Sequence, residues 1–211
     1  MQYSTAFSDA LLAIACLACV LSLARLGAST PLAQRPRWFC LQLGFALPLA
    51  AAAAGAARFG LNAEWSELHD WLSRASSLLG LPLLGLAALS LGHAWQWSGP
   101  VWGRLLLGLC AFFELFRQLG WLAEYRLALQ LRRLLSITHR GLLPWRQRLP
   151  WLLAASGAGL FVVAGLAVGT HGFIGPLRRI DLFHGLLTLA YPLLAWLLIR
   201  LAGSQPPAKA V

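Results

Sequence analysis

What most limits this chain is the spacing of its charges. Between Asp9 and Arg25, between Arg37 and Arg58, and between Asp181 and Arg200 there is no Asp, Glu, Lys or Arg. A helix rises 1.5 Å per residue, so about 20 apolar residues span the roughly 30 Å of hydrocarbon in a bilayer. Cutting the chain at its charged and Pro/Gly-rich breaks gives seven runs of that kind, at 8–26, 38–57, 70–93, 101–118, 120–136, 150–170 and 181–202. The fifth is the weakest, because it carries Glu124, Arg126, Arg132 and Arg133. No connection is longer than residues 137–149, so there is no room for a soluble catalytic or nucleotide-binding domain. The expected fold is all-α: one transmembrane bundle of about seven spans over residues 1–203, with 204–211 as a disordered tail.

Composition agrees. With 59% hydrophobic and 11% charged residues, the chain falls far short of the about 25% charge of a water-soluble domain. Its net charge of +10 would suggest nucleic acid in a soluble protein, but in a membrane protein it records loops retained at the cytoplasmic face. Placing the amino terminus outside and the carboxyl terminus inside puts eleven basic residues on the cytoplasmic side and six outside. The basic loops 25–37 and 132–148 share a face only if the fifth run crosses. The arginine-rich composition, with Lys209 as the sole lysine, points to a bacterial cytoplasmic membrane. The first run has no basic segment before it and no small-residue cleavage site after it, so it reads as a retained span. Trp38, Trp95, Trp97, Trp102, Trp145 and Trp151 at one set of ends, and Trp65, Trp71 and Trp121 at the other, suit headgroup depth.

Familiar catalytic signatures are missing. Cys16 and Cys19 form a C-x-x-C, but in mid-helix with no following histidine, and Cys40 and Cys110 also fall inside spans. No P-loop, G-x-S-x-G or H-E-x-x-H occurs, and no lysine lies in a span to form a Schiff base. His93 and His184 sit at opposite ends of their helices, too far apart for one haem.

The remaining signal is the distribution of ionisable residues. Such residues inside spans cost about 2.5 to 3.5 kcal/mol each at the helix centre, so they face the bundle interior or a wet cavity. Here they gather in the outer half: Asp9, Arg58, His69, Asp70, Arg74, Glu114, Arg117, Glu124, Arg126, Arg178, Arg179, Asp181 and His184. Asp181, His184, Thr188 and Tyr191 follow at i, i+3, i+7 and i+10, a stripe down one helical face. Glu114 and Arg117 stand at i, i+3 and can pair. His69, Asp70, Ser73, Arg74 and Ser77 form a polar first turn. Asp9, Arg58, His69, Glu114, Arg179, Asp181 and His184 are therefore the candidate ligand-binding residues.

Arg179-Ile180-Asp181-Leu182-Phe183-His184, with Ser8-Asp9 and with Gly55-Ala56-Ala57-Arg58-Phe59-Gly60, resembles a group of bacterial seven-helix membrane proteins. That group is similar to the membrane-hydrolase superfamily of alkaline ceramidases and progestin/adipoQ receptors. The resemblance implies a zinc ion held by an acidic residue in the first helix and histidines in the second and last. Asp9 and His184 match that pattern. Arg58 stands at the second-helix histidine, and Arg179 or Ile180 at the partner of His184. A protonated guanidinium cannot ligate a cation. The resemblance thus implies a relative that has lost the zinc and the hydrolase chemistry, with no cofactor, binding a membrane lipid headgroup or a small anionic ligand. Two alternatives stay open: an active metal-dependent amidase or lipid hydrolase using Asp9, His69 and His184, and a small transporter or channel subunit.

Overall fold

A computed structural model describes residues 2–119 and 148–203. The expected fifth span, Trp121, Trp145, most of the basic stretch Arg132 to Arg148 and the 204–211 tail lie outside the described residues.

Helix α1 runs over Tyr3–Ala28 and α2 over Arg35–Gly60. Helix α3, Ser66–Ala75, passes through a π turn at Ser76–Gly80 into α4, Leu81–Gly92. Then come α5, Gly99–Gln118, α6, Arg148–Val162, with a second π turn at Val163–Val168, and α7, Arg179–Gly203. Among the described residues, four segments are long and apolar enough to cross a membrane: Tyr3–Ala28, Leu32–Gly60, Ala63–Gly92 and Arg179–Gly203. The protein is a helical-bundle membrane protein. Helix α1 shows why lipid is required. One stripe (Thr5, Asp9, Leu12, Cys16, Cys19, Leu23) is buried, while Phe7, Leu11, Ile14, Leu17 and Leu21 on another are exposed. A contiguous apolar face of that length is stable against hydrocarbon and a liability in water.

Contacts at the helix ends fix the topology. Gln2 donates its backbone N–H to Phe59 O at 3.0 Å, so α1 begins where α2 ends. Arg58 pairs with Asp70 at the start of α3, and the Trp71 ring meets Phe113 near the end of α5. Arg179 Nη1 donates to Val168 O at 3.2 Å, bringing the end of the α6 rod to the start of α7. These termini form one end of the bundle, termed here the polar end. At the other, Gly27 lies against Trp38, and Gly99 against Pro36. Between them a core of Leu12, Leu23, Leu41, Phe45, Leu83, Leu84, Tyr191, Leu194 and Leu198 ties α1, α2, α4 and α7 together.

Three features go beyond the sequence expectation. The third span is not one regular helix: Pro82 lacks an N–H to donate to the preceding turn, and the π turn at Ser76–Gly80 lies directly before it. The loop after α6 contains a minimal antiparallel hairpin, Phe173–Ile174 against Leu177–Arg178, closed by Gly175-Pro176. Gly175 sits at φ +59, the left-handed value that the first central position of such a turn requires. Trp38 and Trp102, read from the sequence as rings at headgroup depth, are also covered by neighbouring helices, at 6% and 2% exposure. The Trp97 ring leans on Trp102, and Trp38 and Trp102 both belong to the core cluster.

Candidate functional site

At the polar end a cavity of about 530 Å³ opens among α1, α2, the α3–α4 rod, the α6 π turn and α7. Its lining divides by chemistry. Leu12, Pro48, Leu81, Phe161, Leu187 and Tyr191 make an apolar part, and Asp9, His69, Asp70, Ser73, Arg74, His171 and His184 a polar one. Both π turns reach its wall, through Ser76 and Ser77 on one and Gly165 on the other. A π turn re-aims side chains that a regular helix would place elsewhere, and such turns recur at functional sites.

Asp9, from α1, and His184, from α7, meet inside the bundle: Asp9 Oδ1 lies 3.3 Å from His184 Nδ1. Both are buried, Asp9 at 1% exposure and His184 at 6%. Ser8 Oγ stands 3.2 Å from the same ring nitrogen, 3.3 Å from Asp181 Oδ1 and 3.0 Å from Thr5 O. Thr188 donates its hydroxyl to His184 O at 2.8 Å. The inward stripe of α7 read from the sequence is therefore present, with His184 and Tyr191 buried. On the facing wall His69 Nδ1 lies 3.0 Å from Ala51 O, and Phe59 meets its ring edge-on. Gly55 makes this approach possible. A Cβ there would sit 2.5 Å from Asp9 Oδ2 and 2.9 Å from His69 Cε1. The small-residue character of α2, legible in the sequence as a means of close helix approach, is used at this point to seat a carboxyl group and an imidazole against the backbone.

The other candidates stand apart from the cavity. Arg58 is engaged by Asp70, with Nη1 2.7 Å from Oδ1, and stacks over Phe59 at 5.1 Å. Arg179 is spent on Val168 O, and Asp181 on Ser8. Glu114 pairs with Arg117 at 2.6 Å and accepts from Gln118 at 2.8 Å, exposed on α5. The i, i+3 pairing expected there is thus realised, and it builds no pocket. Arg58 and Arg179, expected among the ligand-binding residues, both have other partners, and neither lines the cavity.

Arg74 is the residue that the candidate set omitted. It lines the cavity from α3 and has no acidic partner among the described residues. Its signal was present in the polar first turn of the third run. What the sequence lacked was the information that Asp70, one turn earlier, is taken by Arg58. Among the described residues, no three His, Cys, Asp or Glu side chains group closely enough to hold a metal ion. The four cysteines are free thiols, with Cys16, Cys19 and Cys40 packed in the interior. No family model, curated protein or solved structure matches the chain.

Proposed function

We propose that this is a multi-pass protein of the bacterial cytoplasmic membrane that binds, without transforming it, a membrane lipid with an anionic headgroup, held in the polar-end cavity. One observation carries the reading: the cavity joins an apolar part to a polar part that contains an arginine with no acidic partner among the described residues. Acyl chain packs on Phe161, Leu187 and Tyr191. Arg74 offers the phosphate a charge-assisted, bidentate set of donors. Arg74→Gln is expected to lower the enrichment of co-purified phosphatidylglycerol over phosphatidylcholine about tenfold, the scale of one hydrogen bond to a charged group. Unchanged enrichment overturns the reading.

The topology proposed with it has seven spans, the polar end and amino terminus outside, and the carboxyl terminus cytoplasmic. The eleven-to-six split of basic residues supports it. So does the fact that α5 ends at the polar end while α6 begins at the opposite one. In a background with the native cysteines replaced, single cysteines at Asn62 and Thr170 should react with an impermeant maleimide in intact cells, and one at Ser98 should not. The reverse pattern inverts the orientation.

A second reading is an active metal-dependent amidase or lipid hydrolase, in keeping with the resemblance to the membrane hydrolases. It is favoured by the Asp9–His184 contact, with His69 across Gly55. Metal analysis separates the two: stoichiometric zinc, lost on His184→Ala, would put the hydrolase first.

A further inference from the structure

We infer that the headgroup bound in this cavity carries hydrogen-bond donors, hydroxyl or amine, beside its phosphate, and that His69 and His184 read them. The inference rests on the lipid-binding reading above and specifies its ligand.

It follows from where the protons must be. Ala51 O can only accept, so His69 Nδ1, 3.0 Å away, carries the hydrogen, and in the neutral ring Nε2 keeps a lone pair. His184 is constrained in the same sense. The single hydroxyl proton of Ser8 has Thr5 O at 3.0 Å and Asp181 Oδ1 at 3.3 Å to go to, and both of these are acceptors. Ser8 Oγ is then left to accept from His184 Nδ1. His184 Nε2 therefore keeps its lone pair too. Neither Nε2 has a hydrogen-bond partner among the described residues. Asp9 Oδ2, buried between Gly55 and the His69 ring, has none either.

The two histidines lining the cavity thus offer acceptors to the ligand, while Arg74 offers only donors. A headgroup made solely of phosphate oxygens satisfies Arg74 and leaves the acceptors bare. One that also carries hydroxyls or an amine satisfies both. A site built to bond a donor rejects the analogue lacking it, because its own buried polar groups are then left unpaired.

The test uses the full-length protein in phosphatidylcholine nanodiscs, whose lipid carries no donor, doped equally with phosphatidylglycerol or with phosphatidylethanol. The two added lipids have the same single negative phosphodiester, and only the first has hydroxyls. Lipid retained by the protein is read by native mass spectrometry. Phosphatidylglycerol should be retained at least about tenfold over phosphatidylethanol, and His69→Phe should reduce that ratio to near one while both stay above phosphatidylcholine. Equal retention of the two anionic lipids, both lost on Arg74→Gln, overturns the donor inference and leaves the anionic-lipid reading standing. Retention of neither above phosphatidylcholine, unchanged in Arg74→Gln, overturns both. A preference that survives His69→Phe overturns the assignment to these histidines. Should that variant not fold, the ratio in the unmodified protein decides.

Discussion

The two ends of the bundle solve the same problem with different chemistry. Each must let helices terminate near the membrane surface. At the opposite end from the cavity, aromatic rings do this: His93 stacks on Trp95 at 4.4 Å, Trp95 on Trp97 at 5.3 Å, and Trp97 leans on Trp102 at 5.2 Å. That ladder is continuous, closes the end, and runs into the core through buried Trp102. At the polar end, ionisable groups from α1, α3, α7 and the loop before α7 line an open volume, and two π turns interrupt the helices that wall it. Packing a membrane helix requires neither buried Asp9 nor bare imidazole nitrogens, and retaining them is costly. The contrast therefore marks the polar end as the place where the bundle gives up packing for recognition.

The largest test of this contrast lies at Gly55. A side chain there meets Asp9 and His69, whereas Gly108 on α5 has nothing within 4 Å of its Cβ position. Gly55→Leu should lower stability by about 3 kcal/mol in detergent unfolding, at the upper range for overpacking, and Gly108→Leu by less than about 0.5 kcal/mol. Similar losses at the two positions would remove the argument that α2 is built around the site.

Next in size is the aromatic ladder. Trp95 is 41% exposed yet sandwiched between His93 and Trp97, so Trp95→Ala should cost about 1 kcal/mol by thermal unfolding and leave lipid retention at the polar end unchanged. Altered retention would show that the two ends are coupled. Arg58→Gln breaks a half-exposed pair, worth at most about 0.5 kcal/mol. Its larger consequence is to free Asp70 to compete for Arg74, so weaker phosphatidylglycerol retention with near-native stability is the expected signature. The smallest effect belongs to Glu114→Gln. Its ion pair is exposed on α5 and away from the cavity, so neither the unfolding midpoint nor lipid retention should move measurably.

How far the sequence reached can be judged from particular residues. The long uncharged runs located α1, α2, α4, α6 and α7, because exclusion of charge from hydrocarbon is a local property of each run. The stripe from Asp181 to Tyr191 was legible for a related reason: helical periodicity alone sets which side chains share a face. The Glu114–Arg117 pair followed from its spacing. The covering of Trp38 and Trp102 was not legible, because position along a helix gives depth, whereas burial depends on which neighbour covers the ring.

By itself, then, the sequence determined the solvent, the helical class, the positions of the apolar segments and the grouping of ionisable residues toward one end. Only tertiary structure decided which of those residues share a site. Asp9 and His184 lie 3.3 Å apart but 175 positions apart in the chain, and Arg58 reaches Asp70 and not the cavity. Competition among several carboxylates and several arginines has no sequence-local solution. Helix packing settles it, through the close approach that Gly55 permits, and so leaves Arg74 without a carboxylate partner among the described residues, in a cavity that His69 and His184 also line.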